Sequence, residues 1–132
     1  MVELALTLPL MVFGLLGGAD MARAFALQIA VENGSRAGAE SYAIDSTPTP
    51  GEAQDTAMKE INRTPTANAA PGNVIVTKAQ ADGVTDCVSP PTVATPCFVS
   101  VRVIYPWTTI TAWPFVPNGG TFDRTTTIRT FY

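Results

Sequence analysis

From Leu4 to Leu16 the chain is almost wholly apolar, LALTLPLMVFGLL, and the first charge after Glu3 is Asp20. Beyond Arg23 the apolar residues continue more loosely through AFALQIAVENGSRAGAESYA, with polar positions gathered on one side. Pro9 is the only proline between Glu3 and Asp45. This pattern predicts one helix from Val2 to Tyr42, about 60 Å long at ~1.5 Å per residue. Globular helices usually run ~8–20 residues, so such a rod is not expected to fold onto one small core. Pro9 offers no N–H to the carbonyl of Ala5 and predicts a bent or loosened turn. Leu27, Ile29, Val31 and Ile44 are the expected apolar cover for a head domain. Glu32, Arg36 and Glu40 stand four apart and are expected to pair along a solvated face.

The pattern then changes. STPTPG, residues 46–51, breaks the helix, with Pro48 and Pro50 holding it stiff and extended. EAQDTAMKEIN, residues 52–62, reads as a short amphipathic helix whose stripe is Ala53, Ala57, Met58 and Ile61. RTPTANAAPG is a loop. Brief β-branched character follows at 73–78. From Phe98 to Tyr105 the residues alternate, with Val99, Val101, Val103 and Tyr105 on one side and Ser100 and Arg102 on the other. Pro106 is expected to end that strand. WTTITAWPFVP, residues 107–117, reads as a crossover or partly extended loop capping the core, and Asn118-Gly119-Gly120 as a turn. Thr121 to Tyr132 reads as a strand with Thr126, Ile128, Thr130 and Tyr132 on one side. The expected fold is therefore α+β: a long N-terminal helix, a small antiparallel sheet and a short second helix. The expected division is residues 1–45 as stem and 46–132 as head.

Two features of the stem point to a packing role. Gly14, Gly18, Ala22, Ala26, Ala30, Gly34 and Gly38 form a ladder of small residues four apart. Successive rungs advance about 400°, so the ladder follows the ridge along which crossed helices pack. Small residues there let backbones approach closely. Each glycine costs up to ~1 kcal/mol of helix propensity relative to alanine, which implies a return in packing or a segment built to unwind. The second feature is Glu3, a carboxylate among Val2, Leu4, Leu6 and Leu8 that is expensive to bury alone. Its expected partner is the N-terminal amine of this copy or a neighbouring one; the plainer alternative is solvation at a membrane border.

Composition narrows the function. The chain has 132 residues, 46% hydrophobic and 14% charged, with a net charge of −3. Its eight Lys and Arg are scattered, so nucleic acid is not an expected ligand. There is no histidine, which removes Ser-His and Cys-His nucleophiles, and no Gly-rich phosphate loop follows a strand. Glu52, Asp55 and Glu60 look like the wet side of a helix. Asp82-Gly83 and Asp86 make a poor calcium pattern and a plain turn. No catalytic residue, metal site or cofactor is expected. Cys87 and Cys97 fall in a Pro/Thr-rich loop; a disulfide fits, contributing about 2–3 kcal/mol and implying an oxidising compartment, against two inert thiols. Asn33 and Asn62 match the N-glycan acceptor pattern, and Thr47, Thr49, Thr64 and Thr66 are weak O-glycan candidates.

The apolar run has no basic start, unlike a secretory signal. Either a leader has already gone, or Met1 is a true start and the run an uncleaved anchor. The part up to Gly18 is slightly short for a bare span. Continuing through Met21, Phe25 and Leu27 lengthens it, with Asp20 and Arg23 forming an ion pair three residues apart or between subunits.

Residues 2–10, VELALTLPL, resemble the start of TadE-like pilins of the tight-adherence branch of type IV pili. Gly14 to Phe25, with Asp20, Arg23, Ala24 and Phe25, and then Ala37 to Ala43, resemble the continuation of that family's helix. The resemblance is specific over about residues 2–43 and looser in the C-terminal strands. It implies a filament subunit, made with a leader that a prepilin peptidase removes. Such a subunit waits in the cytoplasmic membrane by its stem. The assembly machinery then extracts it into an extracellular pilus of its own copies, used for attachment. The family's glutamate maps to Glu3. The competing expectations are a single-pass anchored binding module using Trp107, Trp113 and Phe115, and, with least support, a small anchored enzyme.

Overall fold

The structure, a computed structural model, describes residues 2–45, 47, 49–87, 91–114 and 117–130. Pro48, Phe115, Tyr132 and the amine of Met1, each given a role by the sequence, lie outside the described residues. Helix α1 spans Val2–Ile44, 43 residues or about 64 Å, and its assignment runs through Pro9 without a break. Helix α2 spans Pro50–Ile61. It starts two residues earlier than expected because Pro50 takes the first helical position, where its missing N–H costs nothing. Thr49 caps it by accepting from the Glu52 N–H, and Glu52 accepts from the Thr49 hydroxyl at 2.8 Å.

Strands β1 (Val74–Gln80), β2 (Cys97–Thr108) and β3 (Gly119–Arg129) form one antiparallel sheet in the order β1-β2-β3. Val74 pairs with Val103 and Val99 with Ile128. The alternation on β2 is as expected: Val99, Val101, Val103 and Tyr105 are buried while Arg102 is exposed. Pro106 does not end the strand. Beyond Val103 the strand has no β1 partner, so Pro106 sits where β2 has a neighbour on one side only, and a missing N–H is tolerated.

The core lies between this sheet and the upper part of α1, with α2 closing one side against α1 and β1. Asp20, Ala24, Leu27, Val31, Ser35, Gly38 and Tyr42 are buried in steps of three and four that hold one face of α1 inward, with Ala30, Gly34, Ala39 and Ala43 buried beside them. Leu27 and Val31 are on that face; Ile29 and Ile44, also expected as cover, are 60% and 73% exposed because they fall on the opposite side. The Ser35 and Thr126 hydroxyls bond at 2.8 Å and fix α1 to β3. Cys87 and Cys97 form a disulfide with Cα atoms 5.6 Å apart; Cys97 is the first residue of β2 rather than part of the loop.

Candidate functional site: the bare stem and its clasp

The lower part of α1 meets almost nothing. The large apolar side chains from Leu4 to Leu16 are between 41% and 75% exposed. The helix is long and apolar enough to cross a membrane. Glu3 lies in its first turn, exposed.

The seven-rung ladder divides. At Gly34 an added Cβ would stand 2.4 Å from Ile61 Cγ1, and at Gly38 2.9 Å from the carbonyl oxygen of Ala53. These two rungs, with buried Ala30, therefore serve the chain's own fold, letting α2 lie close on α1. Gly14 and Gly18 have open space where a Cβ would go, and Ala22 and Ala26 are exposed. The ladder read from the sequence as one packing surface thus has, for its upper three rungs, neighbours within this chain.

Between the two regimes sits Asp20, 5% exposed. It was expected to pair with Arg23, and it does, at 3.4 Å. Its main partners lie elsewhere. The backbone N–H groups of Ile110 and Thr111 donate to its two carboxylate oxygens at 2.9 and 3.3 Å, and Trp113 Nε1 donates at 3.4 Å. The loop 109–114, expected to cap the core, instead reaches down the stem as a strap. Trp113 lies edge-on to Phe13, ring centroids 6.4 Å apart, and a Cβ on Gly17 would be 3.3 Å from its ring. Asn118 closes the neck of the strap: its carbonyl oxygen accepts from the Thr109 N–H at 3.0 Å, and its side chain bonds both backbone groups of Trp113. Arg23 Nε is buried without an acceptor among the described residues.

The other singled-out residues are spread over the head. Among the described residues no cluster of three metal-ligating side chains occurs. The Asp82 carboxylate is occupied by its own turn, accepting from the Thr85 hydroxyl and from the Val84 and Thr85 N–H groups, which hold it below the usual carboxylate range. Glu52 and Asp55 are exposed and Glu60 half-buried, ion-paired to Arg63. Arg36 pairs with Glu40 at 2.9 Å. Asn33 is exposed on α1. The Asn62 amide is committed to both backbone groups of Ala69, and the Thr49 hydroxyl to its cap. Thr47 is exposed, Thr64 half-buried, and Thr66 takes a φ of 73°, a left-handed backbone rare for a β-branched residue.

Residues 1–40, nearly the whole of the stem, match the family model described as TadE-like protein. No curated protein and no solved structure matches the chain. Over these 40 residues the stem, an apolar N-terminal helix suited to membrane anchoring, is similar to that of TadE-like proteins.

Proposed function

We propose that the chain is a structural pilin subunit, without catalysis, that polymerises by its N-terminal helix into an extracellular Tad-like pilus for surface attachment. The observation that carries this is the contrast along α1. The head packs on itself, while the large apolar side chains from Leu4 to Leu16, Phe13 beside Trp113 excepted, and four open rungs stand bare in this chain. The sequence from Val2 to Leu16 holds ten large apolar residues, and burying ten such groups from water is worth on the order of 15–30 kcal/mol as an upper bound. Lipid is itself apolar, so the gain of leaving it for a filament comes from close helix packing along Gly14, Gly18, Ala22 and Ala26 and from pairing Glu3. Its partner in this reading is the N-terminal amine of its own or a neighbouring copy. Before assembly the stem holds the subunit in the cytoplasmic membrane, where the prepilin peptidase and the assembly machinery act on it.

The test is Glu3→Ala in the producing cell. Sheared surface material viewed by negative-stain microscopy should lose its filaments while the purified head keeps its thermal transition. Mass spectrometry of the subunit's N-terminus fixes the mature start. Normal filaments from the variant would remove Glu3 from assembly. The rival reading, a binding head with an aromatic platform, finds its tryptophans already engaged: Trp107 stacks on Phe122 at 5.7 Å and Trp113 lies on the stem.

A further inference from the structure

The segment between Arg102 and Asp123 contains no charged residue. In a head whose outer face carries ion pairs, that gap has a definite place. Its tip is the strap, and the strap lies against Phe13, Gly17 and Asp20, immediately above the bare part of the stem. Ile110 at the tip is 71% exposed, Pro114 and Pro117 are exposed, and Met21 beside them on α1 is 60% exposed. Met21, Trp107, Trp113 and Pro117 line a shallow apolar cleft of about 300 Å³ there.

The stem's length says what covers this surface. Leu4 to Leu16 is 13 residues, about 20 Å of helix, whereas a hydrocarbon core of ~30 Å takes about 20. Seven more residues reach Arg23, about 5 Å above Asp20 and about 9 Å above Gly17, so the strap's contacts fall in the upper turns of such a span. At that level the stem carries Asp20, whose charge would oppose lipid. The strap encloses it and gives it three N–H donors and Arg23. Tryptophan is the side chain favoured at such a boundary, apolar in body with a polar N–H.

We propose that the strap is a lipid-seated collar: in the membrane-anchored subunit, Ile110 and Trp113 rest among the upper ends of the acyl chains, just below the headgroups, and set the depth of the stem. The partner is the bilayer surface, and the reading rests on the stem being a membrane anchor. Neutral head residues at the collar then meet lipid, while the charged outer face of the sheet stays in water.

The full chain is reconstituted in phosphatidylcholine vesicles as Trp107→Phe, leaving Trp113 as the sole tryptophan. Lipids brominated near the top of the acyl chain should remove most of its emission, and lipids brominated near the chain end should remove much less. A Trp113→Phe chain, reporting from Trp107, should be quenched less by both. A third chain, with both tryptophans changed to Phe and Ile110→Trp, probes the exposed tip without disturbing packing and should repeat the first pattern. Full emission from Trp113 and from the tip probe, in chains that float with the vesicles, would overturn the collar and leave the anchor standing. Chains that do not float would overturn both. Shielding of Trp113 that appears only as chains are crowded in the vesicle would overturn the collar in favour of a second copy's stem.

Discussion

The two halves of α1 follow one sequence rule and meet two fates. Both carry small residues four apart. In the upper half Gly34 and Gly38 are filled by Ile61, Ala57 and Ala53 of α2; in the lower half Gly14 and Gly18 face open space. A spacing therefore says that a helix surface is made for close approach, and not whose backbone approaches. The change comes around Asp20, with the last contacts of the strap reaching Gly17 and Phe13 just below it. Above it one face of the helix is a core element of a small α+β domain; below it the same helix is largely bare in this chain.

The largest effect should come from placing one substitution on either side of that boundary. Gly38→Val puts atoms where the Ala53 carbonyl and Ala57 Cβ already lie within 3.0 Å. Neither is the flexible end of a long side chain, so α2 must move, at a cost of about 3 kcal/mol, the upper end for overpacking. Gly18→Val meets nothing within the chain and should leave the urea midpoint of the head unchanged within error. Counts of filaments on cells should reverse the order of interest: the folded Gly18→Val subunit should fail to assemble. Equal midpoints for the two variants would erase the distinction between the halves.

A smaller, local effect should follow from Asp20→Ala. The Ile110 and Thr111 N–H groups lose their acceptor, and an unsatisfied buried donor costs about 1–3 kcal/mol. The head core, built from other residues, should hold. Hydrogen exchange at those two amides should therefore speed up roughly tenfold to a hundredfold while the β2 amides keep their protection. Unchanged exchange at Ile110 and Thr111 would mean that the strap holds to the stem by Trp113 alone.

How much of this was legible in the sequence follows the range of the forces involved. The stem, the stripe of α2 and the β2 alternation were plain because periodicity reports burial residue by residue. The end of β2 was misread at Pro106 because what allows proline there is the shortness of β1, a fact about a neighbour. Asp20 was seen only as a partner of Arg23, three residues away. Its bonds to Ile110 and Thr111 span 90 and 91 positions, and no local spacing encodes them. The available signals were a lone acid in an apolar helix and a long uncharged, Trp-bearing segment with no partner of its own. The division of the ladder was hidden for the same reason, since Ile61 and Ala53 are brought to it only by the turn between the helices.

The smallest effect separates the head's charged outer face from its uncharged underside. Arg102 on β2 donates to Asp123 on β3 through Nε at 2.9 Å and through its other nitrogen to the second oxygen, a two-point pairing. Arg102 holds the Asp123 carboxyl below its ordinary range, and Asp123 in turn raises Arg102. A carboxylate whose pKa is lowered by folding stabilises the fold above its unfolded value, about 3.9, and loses that contribution as pH falls through the folded value. Both groups are well exposed, so the contribution is small and weakens with salt. Thermal melts of the wild type and Asp123→Asn should differ slightly at neutral pH, converge in acid below about pH 4, and lie closer together at high salt. The strap should be indifferent to Asp123→Asn, since its hydrogen bonds run to Asp20 and Asn118 and not to this pair. A shift in Trp113 emission with Asp123→Asn would show that the outer face and the underside are coupled, and that the head does not divide into a wet end and a lipid end.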